Sequence, residues 1–247
     1  MHASIAEIRS FGSVEFSEDP YMIIELSGCV FKCPWCNTPE LLETKFEHEM
    51  DLKDVKREIT GQVGNVEGVF LTGGEPLFQK AAIVEILRKV KDTGMKGAID
   101  TNGSKPEAIE YLLKEELVSV IIMDMKSPFN EESFDKVTKA ATFFKQTQDI
   151  ADEVKQTLKI LQNYDEKVEV IFRTTIVPGL LFRKEDILEI ANEIEMINSS
   201  WELQAYKSTG VTNKKMSEIN SPTDRFLENL CEAVRKEKPN MNVRIKY

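Results

Sequence analysis

From residue 21 to residue 206 the chain alternates short apolar runs with longer stretches of helical periodicity, and this alternation limits its fold more than any other feature. Residues 21–27, 68–72, 97–101, 119–125, 168–176 and 201–206 read as strands. The first five are rich in Val, Ile and Phe, as strands covered on both faces must be; the sixth is shorter and more polar. Between them lie helices at 52–60, after Asp51 as N-cap, and at 81–92, where Ile83, Ile86, Leu87 and Val90 share one face ahead of Gly94. Others are expected at 106–114, with Pro106 in the first turn, at 149–163, at 184–197 and at 223–236, with a further strand at 241–246. Parallel neighbours need crossover connections, so repeated βα steps predict a parallel α/β sheet. Closed-barrel and doubly wound arrangements both fit. Six units are too few for an eight-fold barrel, which favours a partial (β/α)6 barrel. No repeat or linker interrupts residues 1–247, so a single domain is expected, decorated by residues 37–67 and 129–167.

Composition narrows the class. The chain is 41% hydrophobic and 30% charged, ordinary for a globular protein. No apolar run approaches the roughly 18–20 residues that span a bilayer. The first nine residues lack a basic flank leading into a hydrophobic stretch, so no secretory signal is read and a cytoplasmic protein is expected. A net charge of −10, from 42 acidic and 32 basic residues, argues against a nucleic-acid partner, which calls for a basic footprint.

Three of the four cysteines fall between positions 29 and 36. A disulfide framework would spread them to close long loops, so the clustering points to a metal. Cys231, alone in the C-terminal helix, reads as a buried small hydrophobe. The segment Cys29-Val-Phe-Lys-Cys33-Pro-Trp-Cys36 directly follows the first strand, at the strand end where barrels build their sites. A structural zinc ion takes four protein ligands, and His48 is a fourth within reach of the sequence. A four-iron cluster also ordinarily takes four thiolates. With three in the loop, one iron is left open to an exchangeable ligand.

The spacing C-x3-C-x-aromatic-C, with Trp35 as the aromatic, resembles the cluster motif of the radical S-adenosylmethionine (radical SAM) superfamily. The resemblance implies a partial barrel of that type and a [4Fe-4S] cluster on Cys29, Cys33 and Cys36. It further implies S-adenosylmethionine chelated at the open iron and split reductively to methionine and a 5′-deoxyadenosyl radical. The remaining strand ends carry companion motifs. Thr72-Gly73-Gly74-Glu75-Pro76 resembles the family's G-G-E-P segment, which holds the methionine amino group; read alone, its glycines permit close backbone approach and Glu75 could accept from an ammonium, or the segment is a bare turn. Asp100-Thr-Asn102-Gly and Asp124-Met-Lys126 end the third and fourth strands. Singly, each is a common turn or cap. Lys126 offers a cation for the methionine carboxylate, and Asn102 a ribose contact. By resemblance to glycyl-radical activating enzymes, Asp100 and Asp124 would hold a monovalent cation. Arg173, inside the fifth strand, needs a partner because a buried lone charge is costly; it is read either as satisfying Glu75 or another acid, or as a contact to the cosubstrate. Val177 is placed against adenine, and Gln204 on the sixth strand in the same cleft.

Over residues 11–206 the chain is most similar to the anaerobic ribonucleoside-triphosphate reductase and pyruvate formate-lyase activating enzymes. That resemblance implies a protein substrate, a glycyl-radical enzyme whose glycine loses a hydrogen atom, and a low-potential electron donor such as flavodoxin or ferredoxin. The chain departs from the family at residues 11–20, which lack Asp-Tyr-Pro-Gly, and after Cys36, where Asn-Thr-Pro replaces His-Asn-Pro. The alternative enzyme is 7-carboxy-7-deazaguanine synthase, whose Gly-Gly-Glu-Pro-Leu segment with a Gln close behind matches residues 73–79. The alternative of another class is a zinc-stabilised binding module using His48.

Overall fold

In the computed structural model, which describes residues 1–247, all six apolar runs are strands and each is followed by helix. The chain divides into two units, one built from Met1–Val30, Glu40–Thr101 and Glu107–Ile121, the other from Phe31–Pro39, Asn102–Pro106 and Ile122–Tyr247.

The first unit begins with a hairpin, β1 (His2–Val14) and β2 (Ser17–Leu26), and the short β3 (Glu49–Asp51) pairs with β1 from the other side. Next come α1 (Leu52–Gly61), β4 (Gly68–Gly73), α2 (Lys80–Asp92), β5 (Lys96–Thr101) and α3 (Pro106–Lys114). β2, β4 and β5 are parallel neighbours, giving the order β3-β1-β2-β4-β5. The sequence did not announce β1 or β3. Beyond Ala3, Ser4 and Ile5 no residue of β1 is buried, so an outer antiparallel strand shows none of the apolar run that marks the inner ones. The expected cap holds: Asp51 Oδ1 accepts from the Lys53 backbone N–H at 2.9 Å. The predicted face of α2 is fully buried at Ile83, Ile86, Leu87 and Val90, each contributing about 1.5–3 kcal/mol of apolar burial.

β6 (Val120–Asp124) leads into the second unit, followed by α4 (Glu131–Thr138), α5 (Thr147–Gln162), β7 (Glu169–Ile176), α6 (Lys184–Ile194), β8 (Ser200–Ala205), α7 (Lys214–Ser217), α8 (Asp224–Glu237) and β9 (Asn242–Lys246). β7, β8 and β9 are parallel, in register from Ile171 opposite Ser200 and from Ser200 opposite Asn242. The polar character of the sixth run is explained by its neighbour: Glu202 on β8 binds Arg244 on β9 at 2.6 Å. The helical region at 129–167 is two helices, because Lys139 turns left-handed (φ 46°) and ends α4. Cys231 is buried in α8, and burial pushes its thiol up. No helix is long and apolar enough to cross a membrane.

Candidate functional site

In the first unit β4 runs straight into Gly73-Gly74-Glu75-Pro76. Gly73 has φ +120°, and a Cβ there would lie 2.3 Å from the Leu26 carbonyl oxygen; one on Gly74 would lie 2.7 Å from that of Gly28 and 2.8 Å from that of Leu41. The backbone bonds Gly74 N–H to Leu26 O (2.9 Å), Glu75 N–H to Gly28 O (2.8 Å) and Cys29 N–H to Leu42 O (3.0 Å) stitch this turn to the chain entering the cysteine segment. The glycines are therefore needed for backbone-on-backbone packing, while their half-buried backbone still faces outward in part. Glu75 is fully buried. Its Oε1 accepts from the Leu77 N–H at 3.1 Å, and its carboxylate takes the Thr101 hydroxyl at 2.9 and 3.1 Å. Glu75 caps the turn that starts at buried Pro76 and ties the ends of β4 and β5. Asp100, half-buried, accepts from Thr72 Oγ1 at 3.3 Å. Gln79 acts as a strut, its amide bonding Ser4 N–H (2.7 Å), Ser4 O (2.8 Å) and Ser27 O (2.9 Å). His48 bonds Ser27 Oγ through Nδ1 at 2.7 Å and faces Glu47 through Nε2 at 4.0 Å, which accounts for its ring without a metal.

In the second unit Phe31–Pro39 lies against α4. Phe31 is buried edge-on to Phe134 at 5.9 Å, the Lys32 N–H donates to Thr138 O at 2.9 Å, and Trp35 Nε1 donates to Val137 O at 3.2 Å. Cys33 and Cys36 here, like Cys29 in the first unit, are half-buried, unbridged thiols. The Trp35 ring packs on Val177, Tyr206, Val211 and Met216, and Lys126 Nζ sits 5.2 Å from its centroid. Lys126 also bonds Asp124 Oδ2 at 2.6 Å, while Arg173 Nε bonds Asp124 Oδ1 at 2.7 Å. Burial alone would push the Asp124 carboxyl up, but the two cations outweigh it and hold it well below the usual carboxylate range. Burial would likewise lower Lys126; the charges of Asp124 and of nearby Cys33 prevail and keep it above the usual lysine range. Asp124 thus bridges two cationic side chains close to Cys33.

One expectation is not supported here. Both Asp124 oxygens already bind cationic side chains, so a metal cation placed on Asp124 would meet their repulsion; the monovalent cation is not supported. Val177 is fully buried, hydrogen-bonded to Leu181 across a tight turn (2.7 Å), and backs the Trp35 ring. Asn102 is buried with Oδ1 on the Ser104 N–H at 3.0 Å, closing a turn that Gly103 O anchors to Thr157 (2.6 Å). Gln204, half-buried, donates to Thr175 Oγ1 at 2.7 Å. Sequence reasoning missed the hydroxyls that orient these groups: Thr72, Thr101, Thr175, and Thr174 between Trp201 Nε1 (3.0 Å) and Met125 O (2.9 Å). The signal was present, since Thr borders an acid or a motif at three strand ends. Ser104 and Ser127 hydroxyls are buried without a partner.

The donor set suits an iron–sulfur centre: three soft thiols in one short segment, with a cation close to Cys33. The cationic side chains of Lys126 and Arg173 suit an anionic cosubstrate carboxylate, and the half-buried Trp35 offers an aromatic face. Comparison with known proteins agrees. The family model for the radical SAM superfamily matches residues 23–194. The chain is 29% identical over 250 residues to a Methanocaldococcus jannaschii protein provisionally named as a glycyl-radical enzyme activating enzyme, covering 99% of this chain and 97% of that one. It is 26% identical over 243 residues to the pyruvate formate-lyase-activating enzyme of Clostridium pasteurianum (95% and 94%). It is 27% identical over 144 residues to the 7-carboxy-7-deazaguanine synthase of Methanopyrus kandleri (50% and 56%). In fold it is similar to a radical SAM methyltransferase from Sphaerobacter thermophilus, with a TM-score of 0.68 at 11% identity over 99% of this chain and 77% of the other. The chain belongs to the radical SAM superfamily. Membership implies a [4Fe-4S] cluster and S-adenosylmethionine, and the mixed α/β fold with parallel strands is the one expected, with which an open, partial barrel is consistent.

Proposed function

We propose that the chain is a glycyl-radical enzyme activase, removing a hydrogen atom from a glycine of a partner enzyme. The observation that carries this reading is similarity to two activating enzymes over 99% and 95% of the chain, where the deazaguanine synthase matches cover between 35% and 78% of it. Cys29, Cys33 and Cys36 would hold the cluster, and Lys126 with Arg173 the cosubstrate's carboxylate. By the resemblance the backbone of Gly73 and Gly74 would meet its amino group, Asp100 is held by Thr72 in the same unit, and Trp35 and Gln204 are the second unit's candidate cosubstrate contacts. When bound, the cluster and S-adenosylmethionine supply a one-electron cleavage that yields the hydrogen-abstracting adenosyl species. The protein's share is electrostatic and steric. Asp124 fixes the two cationic side chains in place for the anion, and the Val177–Tyr206 cluster keeps the Trp35 ring from turning.

The second reading, a 7-carboxy-7-deazaguanine synthase acting on 6-carboxytetrahydropterin, is supported by the sequence match and the Gly-Gly-Glu-Pro-Leu segment. The Gln79 behind that segment is already occupied as a strut in the first unit, which removes one reason for preferring it. Anaerobic incubation with reductant, S-adenosylmethionine and a glycyl-radical enzyme is expected to give a glycine-centred radical by electron paramagnetic resonance. Turnover of 6-carboxytetrahydropterin with no such radical would replace this reading by the second.

A further inference from the structure

Between Phe31 and Thr38 the chain forms neither helix nor strand, so the geometry of Cys33 and Cys36 is set by what packs on that segment. Ahead of each cysteine the fastening is to α4: the Lys32 N–H donates to Thr138 O and Trp35 Nε1 to Val137 O. Within the segment the Cys36 N–H donates to Cys33 O at 3.0 Å, and Cys36 Sγ lies 3.9 Å from Thr38 Oγ1.

The chain between β8 and α7 holds the other end. Its Gly210, with φ +82°, presses on the backbone of Asn37, the residue after Cys36. A Cβ on Gly210 would lie 2.1 Å from the Asn37 carbonyl oxygen, 3.1 Å from its carbonyl carbon and 3.6 Å from its Cα; these are its three nearest atoms, and Cβ atoms essentially never come within 3.0 Å of a neighbour. The loop that brings Gly210 there is fixed on both sides. Tyr206, Val211 and Met216 are buried against the Trp35 ring. The Tyr206 hydroxyl donates to Met216 O at 2.8 Å and the Val211 N–H to Ser208 O at 3.1 Å. Asn213 Oδ1 accepts from the N–H groups of Lys215 (3.1 Å) and Met216 (3.3 Å). A loop so anchored transmits a displacement instead of absorbing it.

We propose that the loop from Lys207 to Asn213 is a clasp that sets the position of Cys36 as a cluster ligand, with Gly210 as its positioning residue. Gly210 has no side chain to reach a ligand and acts through Asn37. A methyl group there must drive Asn37 and the loop apart by about 1 Å, from 2.1 Å to at least 3.0 Å, whereas a ligand set has to be held within roughly 0.5 Å. Thr38 follows Asn37, so the hydroxyl beside the Cys36 sulfur moves as well, and hydrogen bonds to cluster sulfurs help to set a cluster's potential. The inference rests on the cluster reading of the cysteines and is independent of the glycine reading.

The test compares Gly210→Ala with Gly64→Ala in anaerobically reconstituted protein. Gly64, between α1 and β4, has the same backbone conformation (φ +83°), with nothing within 4 Å of a Cβ; it carries the strain without a displaced neighbour. Both variants should lower Tm. Gly210→Ala alone is expected to release iron to a chelator at least tenfold faster than wild type. It should also change the electron paramagnetic resonance spectrum and the midpoint potential of the reduced cluster. Should Gly210→Ala fail to fold, Val211→Ala loosens the same loop without adding an atom and is expected to speed iron release a few-fold. Wild-type iron release and spectrum in the folded variant of this loop would overturn the proposal, as would equal changes in Gly64→Ala. Wild-type protein that takes up no iron would overturn the cluster reading, and this inference with it.

Discussion

The two units treat their strand-end acids in opposite ways. In the first, Glu75 is fully buried with its carboxylate on Thr101 and a backbone N–H, and Asp100 leans on Thr72. The hydroxyls of Thr101 and Thr72 hold these acids, so hydrogen bonds between strand ends act as joinery here. In the second, Asp124 sits between Arg173 and Lys126, each side chain about one-fifth exposed or less. A motif residue can therefore be kept for architecture or for a ligand, and its burial and partners bear on which. A fully buried acid held by a hydroxyl and a backbone N–H is built in, whereas partly exposed cations clamped on one carboxylate are positioned where an anion can reach them.

The largest effect should come from the second unit's thiols. Cys33→Ala is expected to bring reductive cleavage of S-adenosylmethionine to background and to remove the broad visible absorbance of the anaerobically reconstituted protein. Formation of 5′-deoxyadenosine at the wild-type rate would take the cysteine segment out of the chemistry. The next contrast separates the two cations from the acid between them. Asp124→Asn leaves Arg173 and Lys126 without their counter-charge, a loss of about 3–5 kcal/mol for a mostly buried pair. At this chain length that lowers Tm by roughly 6–15 °C in calorimetry. Lys126→Met keeps the Asp124–Arg173 pair, so Tm should move little, while the Kd for S-adenosylmethionine rises about 10- to 100-fold, as for a lost hydrogen bond to a charged group. If both variants fell equally in Tm with affinity intact, Lys126 would be joinery like Glu75.

Glu75→Gln is the reciprocal test. The amide keeps one acceptor oxygen and turns the other, which also faces the Thr101 hydroxyl, into a buried N–H donor, at a cost of about 1–3 kcal/mol. Affinity for S-adenosylmethionine should stay within a few-fold of wild type. A tenfold loss of affinity at unchanged Tm would return the side chain to the ligand and erase the distinction between the units.

How the sequence showed these elements follows from the same physics. The inner parallel strands were legible because burial on both faces leaves an unbroken apolar run, and α2 because one apolar face repeats at helical spacing. β1 was not, since an outer antiparallel strand needs only a few buried residues. Motifs located the strand ends correctly, yet spacing says nothing of which way a side chain turns. Glu75, Asn102 and Val177 all lie in the right segments and all face inward. Lys126 and Asp124 were both singled out, but their mutual ion pair, which excludes a metal cation from Asp124, comes from geometry that two residues apart on a strand end does not specify.

The smallest expected effect distinguishes surface charge in the first unit from the charge group of the second by acid titration. Glu67, just ahead of β4, is held below the usual carboxylate range by its hydrogen bonds to Lys96 (2.5 Å) and Ser17 (2.5 Å). Its folded pKa is lowered, so its contribution is fully present above the unfolded value of about 4.3 and fades as pH falls through the folded value. Lys96 is more than half exposed, so screening keeps this contribution under about 1 kcal/mol. Asp124 is shifted the same way but is held farther down by two cations; it stays ionised after Glu67 has taken its proton. Urea midpoints measured from pH 7 to pH 3 should then show a small first loss of stability that Glu67→Gln removes and Asp124→Asn leaves in place. Loss of that first step in Asp124→Asn instead would mean that the second unit's carboxylate titrates like a surface acid, and that its two cations do not hold it as the geometry requires.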